Sequence, residues 1–73
     1  MILNTTQVHT LIVEIDIAFQ EGILAFSREE FQHYEWLCYR AGEEGFEPTR
    51  ADSLLLDELY WRIPLDLTNY ERN

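Results

Sequence analysis

Seventy-three residues suffice for one small domain, and a chain of this size buries only about 60% of its unfolded surface. Its 14 acidic residues face five arginines and no lysine, a net charge of −9, which disfavours binding to nucleic-acid phosphates or an anionic membrane surface. A 47% apolar share excludes a disordered chain, and the lone Cys38 excludes an intrachain disulfide or a cysteine-rich zinc site.

The opening segment MILNTTQVHT lacks the basic region and long apolar core of a signal peptide. No apolar run approaches the ~18 residues of a membrane span. The expectation is a soluble, cytoplasmic, single-domain protein over residues 1–73. Its acidic field favours another protein with a basic surface as partner.

The first element spans about residues 5–21. Val8, Leu11, Ile12, Ile15, Ala18 and Phe19 fall on one arc of about 120° at helical spacing. Asn4 or Thr5 can cap its start and Gly22 its end. A strand reading competes, with Val13, Ile15, Ile17 and Phe19 alternating against Glu14, Asp16, Ala18 and Gln20. A turn at Glu21-Gly22 then folds Ile23–Phe26 back, giving an N-terminal β-hairpin over about residues 11–26 and an α+β fold. The longer helical match favours a helix.

The second element, about residues 28–41, is the best delimited. Ser27 is an N-cap with Glu30 at the capping-box position, and Phe26 stands where it can staple to Phe31. Gly42 is expected to supply a left-handed terminus, with Arg40 facing the negative end of the dipole. Phe31, Tyr34, Leu37, Cys38 and Ala41 form the core arc, while Trp36 and Tyr39 lie off it. A loop through Gly45 and Pro48 follows, with Phe46 turned inward. The third element, about residues 50–63, opens at Thr49 with Asp52 as the weaker capping-box partner and ends at Pro64. Leu55, Leu56, Leu59, Tyr60 and Ile63 form its core arc, with Leu54 and Trp61 outside. Glu58 and Arg62 are spaced for an ordinary i,i+4 pair. Residues 66–73 read as a flexible tail. The predicted fold is therefore a small all-α, three-helix domain.

Catalytic signatures are missing from the sequence: it contains no GxSxG, P-loop, GxGxxG or HExxH pattern. Cys38 lies on a core arc, where a thiol acts as a small hydrophobe. Glu29 and His33 have two-ligand spacing but lack further ligands, so His33 is expected to be solvated beside Glu29. The expectation is a non-enzymatic protein without metal or cofactor.

The off-arc residues Trp36, Tyr39, Leu54 and Trp61, flanked by Asp57 and Glu58, have the composition of a binding hot spot within an acidic rim. The competing expectation makes them a second core seam. The Leu54–Trp61 stripe also offers a self-complementary surface for a homodimer. Two functions follow from this pattern. The first is a protein-interaction module: an adaptor, assembly factor or inhibitor. The alternative is a nucleic-acid mimic of the kind phages and mobile elements direct at host defence or nucleic-acid-binding enzymes.

Overall fold

A computed structural model describes residues 2–64 of the chain; the segment read as a tail, 66–73, lies outside the described residues. Three helices form: α1 (Thr5–Gln20), α2 (Arg28–Ala41) and α3 (Arg50–Trp61). Each begins with the same local device. The side chains of Asn4, Ser27 and Thr49 accept from the amides of Gln7, Glu30 and Asp52, whose side chains return to the cap amides. Both ends of each box satisfy donors that the first helical turn leaves orphaned. Gln7 in the first of these boxes went unanticipated in the sequence.

The β-hairpin alternative is overturned, since residues 11–20 are helical and no strand occurs among the described residues. The alternation that suggested it mixes environments. Ile15 is fully buried, whereas Val13 and Ile17 stand exposed on the outer face of α1. A half-buried strand would have brought all three to one side.

The core is built from Val8, Leu11, Ile15 and Ala18 of α1, Tyr34, Leu37 and Ala41 of α2, and Leu55, Leu56, Leu59 and Tyr60 of α3. Leu3, Leu24 and Ile63 close it from the connecting segments. Each fully buried aliphatic side chain contributes about 1.5–3 kcal/mol by leaving water. Phe19 and Phe31 depart from their expected core positions and are 40% and 37% exposed. They sit at the edges of their arcs, at the end of the α1–α2 pair, and cover the half-buried Phe26 instead. Ring centroids lie 4.7 Å apart for Phe19–Phe26 and 5.9 Å for Phe26–Phe31. Phe26 thus staples the start of α2 to the end of α1.

Helices α1 and α2 run antiparallel. The His9 imidazole, near the start of α1, bonds through Nε2 to the Ala41 carbonyl at 2.9 Å, while Phe19 meets Phe31 at the other end. Tyr34 ties the middle by donating its hydroxyl to the Ile12 carbonyl at 3.1 Å. Ser53 on α3 accepts from the Leu3 amide at 2.9 Å, fixing the chain entry against the third helix.

The two helix-terminal glycines behave differently. Gly22 adopts φ +75°, with Ile23 N–H donating to the Ala18 carbonyl and Gly22 N–H to that of Phe19. This is a Schellman ending. Gly42, expected to be left-handed, has φ −86° instead. The chain stays right-handed there, Glu43 N–H reaches the Arg40 carbonyl, and the positive φ falls at Gly45. The two glycines should therefore respond oppositely to substitution. Gly22→Ala forces a Cβ into left-handed backbone and is expected to cost about 1 kcal/mol. At Gly42 an added Cβ meets only the Tyr39 carbonyl oxygen at 3.7 Å, so Gly42→Ala is expected to gain about 0.4–1 kcal/mol through lost unfolded-state entropy. Urea midpoints measure both, and equal losses would contradict the assigned conformations.

Candidate functional site

Asp52 is the most consequential polar side chain of the structure. It is fully buried, a position that costs a carboxylate several kcal/mol unless donors replace its water. Three donors do so. Oδ1 accepts from Arg40 Nη2 at 2.7 Å and from His33 Nε2 at 2.8 Å, and Oδ2 accepts from the Thr49 amide at 3.0 Å. Burial opposes ionisation, but the Arg40 guanidinium, the Thr49 amide and His33 outweigh it and hold the carboxyl well below the usual carboxylate range. His33 is therefore not the solvated neighbour of Glu29 that its spacing suggests. Packing of α3 against α2 brings Asp52 closer, and a buried carboxylate is the stronger acceptor.

Arg40 extends this tie to the surface. Beyond its bond to Asp52, its guanidinium lies 5.8 Å from the Trp36 ring centroid and 5.8 Å from that of Phe46, within cation–π range of both. Trp36 in turn stacks on Tyr39, with centroids 5.7 Å apart and planes 11° from parallel. Both rings face outward, 58% and 67% exposed, so neither belongs to a second core seam. Tyr39, Trp36, Arg40 and Asp52 form a continuous series from solvent to core. Gln32 and Glu35 border the outer end of the aromatic pair.

On α3, Leu54 and Trp61 are likewise more than half exposed. The Trp61 indole N–H donates to Asp57 Oδ1 at 3.2 Å. Glu58 pairs with Arg62 at 2.9 Å, but the same guanidinium reaches across to Glu30 of α2, donating Nη1 to Oε1 at 2.8 Å. Glu30 thus serves both its cap and an interhelical ion pair. Arg62 and the Ser27 amide pull its pKa down to about 2, and Glu30 is the largest cause of a raised Arg62. The sequence-predicted residues therefore occupy two places. Trp36 and Tyr39 form one platform on α2; Leu54, Asp57, Glu58 and Trp61 line the outer side of α3. Asp52 and Glu30 secure the helices that carry them.

Cys38 is half-buried beside Tyr34, and burial raises its thiol pKa, which lowers the thiolate fraction available for nucleophilic chemistry. Burial raises the Tyr34 phenol as well. Among the described residues no group of three or more His, Cys, Asp or Glu side chains is placed to hold a metal ion. Nor is any described helix long and apolar enough to cross a membrane.

The two depressed carboxylates set an acid limit on stability. Each contributes fully above its unfolded-state pKa near 4. That contribution is lost as pH falls through the folded value, about 2 for Glu30 and lower for Asp52. Asp52→Asn is expected to cost about 3 kcal/mol at pH 7, because Arg40 and His33 lose their charged acceptor. The gap from the unsubstituted protein should narrow progressively below about pH 5. Chemical denaturation across that range measures it, and parallel profiles would exclude Asp52 as the titrating tie. Comparison of the chain with protein-family models, curated proteins and solved structures finds no match.

Proposed function

We propose that this protein is a small, non-enzymatic interaction module, an adaptor, assembly factor or inhibitor, that binds another protein bearing a basic surface. On this reading Trp36 and Tyr39 are the primary anchors, with Leu54, Asp57, Glu58 and Trp61 forming a secondary contact on α3. It acts in the cytoplasm without metal or cofactor.

The observation that carries the proposal is the order of the exposed aromatic pair. Exposed tryptophan and tyrosine side chains ordinarily sample several rotamers, and fixing them on binding costs free energy. Here Trp36 and Tyr39 are already stacked and braced by Arg40. Covering their exposed parts removes roughly 200–300 Å² from water, about 5–7 kcal/mol gross before association costs. Charge supports a basic partner. The salt bridges among the described residues use Asp52, Glu30 and Glu58. They leave carboxylates such as Glu29, Glu35 and Glu43 free to set the sign of the surface field.

The test is capture of the partner from a lysate of source cells by the immobilised protein, followed by measurement with the purified partner. Trp36→Ala/Tyr39→Ala is expected to weaken binding on the order of tenfold or more, with helical circular dichroism unchanged. Leu54→Ala/Trp61→Ala should have a smaller effect. Binding indifferent to all four substitutions would sink the proposal. A complex that dissolves steeply with salt and is displaced by the partner's own nucleic acid would replace it with charge mimicry. Sedimentation at low and high salt covers the remaining reading: a Leu54–Trp61 homodimer tightens as salt screens the −9 of each copy.

A further inference from the structure

A second surface, which meets the Trp36–Tyr39 platform at Glu35 and uses neither of its rings, lies along the seam of α1 and α2. Two shallow grooves meet there end to end and share Cys38. One is bounded by Asp16, Phe19, Phe31 and Glu35, the other by Ile12, Val13 and Gly42. No residue of α3 lines either groove, so together they form a trough on the side of the helix pair that α3 leaves uncovered. Its floor is half-buried Ile12 and Cys38, and its walls are the exposed Val13, Phe19 and Phe31. From His9 to Gln20 the trough follows about three turns of α1, roughly 17 Å at 1.5 Å per residue.

We propose that this trough docks an amphipathic helix of another protein, about 12 residues long, carrying lysine or arginine beside its apolar stripe. The length matches a three-turn helix with apolar anchors at i, i+3 or i+4, and i+7. Seated there, it completes a four-helix arrangement around α1 and α2. The charge of the partner follows from the rim. Asp16 and Glu35 line the same groove from opposite helices, and neither takes part in a salt bridge among the described residues. Asp16 accepts only a neutral donor, Gln20 Nε2 at 2.8 Å. No lysine or arginine lines the trough. A cationic helix supplies both carboxylates with a partner, whereas a second copy of this chain would set Asp16 and Glu35 against like charges.

The experiment uses the full chain and three synthetic helical peptides. One has leucines at i, i+4, i+7 and i+11 with flanking lysines; one carries glutamates in place of the lysines; one has the lysine sequence broken by two prolines. The lysine helix is expected to bind and to slow alkylation of Cys38 by iodoacetamide about tenfold or more, since it lies over the thiol. Asp16→Lys should weaken binding by at least about tenfold and Asp16→Asn by less. Trp36→Ala/Tyr39→Ala should leave it within about twofold. Circular dichroism checks that each variant remains helical. Equal protection of Cys38 by the lysine and glutamate helices would overturn the charge assignment. Binding without protection of Cys38, or with Asp16→Lys unaffected, would overturn the site. Protection that appears without peptide as protein concentration rises would assign the trough to a second copy. Loss of lysine-helix binding only in the Trp36/Tyr39 variant would reject the trough and leave the proposed platform standing.

Discussion

The fold depends on where one carboxylate is allowed to be. Asp52 is fully buried, and an ionised group there is tolerable only if the protein returns the hydrogen bonds that water supplied. The donors come from its own helix start at Thr49 and from two positions about two turns apart on α2, His33 and Arg40. That requirement fixes how far α3 slides along α2, because a shift of one turn, about 5.4 Å, would leave the carboxylate and the guanidinium unpaired. Apolar packing between leucines is far less particular about register. The second ionic contact, Arg62 with Glu30, lies at the other end of the same helix pair. Two polar ties therefore align helices whose hydrophobic faces supply most of the cohesive energy.

The structural consequence reaches the surface through Arg40. A side chain held by a buried carboxylate at its tip is a stiff support, and Trp36 rests on it. The exposed aromatic pair is thus coupled to the core through two non-covalent contacts. On the adjoining flank of α2, past Glu35, Phe31 and Cys38 face the trough shared with α1. One helix accordingly presents two different surfaces: a projecting aromatic platform suited to entering a partner, and a recessed groove suited to receiving one.

Much of the fold was legible because its determinants are local. Capping boxes join residues three apart, and core arcs repeat within a few turns, so Ser27 with Glu30 and the leucines of α3 could be read directly. What escaped depends on contacts distant in sequence. His33 and Asp52 are 19 residues apart, and Glu30 and Arg62 are 32; no periodicity links such pairs. The i,i+4 spacing of Glu29 and His33 pointed to a neighbour that tertiary packing outcompeted. Gly42 illustrates the same limit at the backbone, since the loop after α2 turns at Gly45 and relieves Gly42 of the left-handed role. Phe19 and Phe31 fall on the core arcs of a helical wheel, which gives angle but not how much of a ring at a helix end the neighbouring elements cover. The exposure of Trp36, Tyr39, Leu54 and Trp61 follows from their angles; which of them are pre-ordered, and by what, required the position of Arg40.

Placing both tryptophans outside the core also determines what light reports about this molecule. In most small domains an indole loses its buried environment on unfolding, and emission shifts accordingly. Here Trp36 contacts a guanidinium and a phenol ring at the surface, and Trp61 is hydrogen-bonded to a carboxylate on an exposed face. Their emission is a probe of what touches the outer faces of α2 and α3. Among the described residues the buried chromophores are Tyr34 and Tyr60, so the integrity of the interior is written in tyrosine absorbance, and the two signals separate contact from folding within a single unlabelled chain.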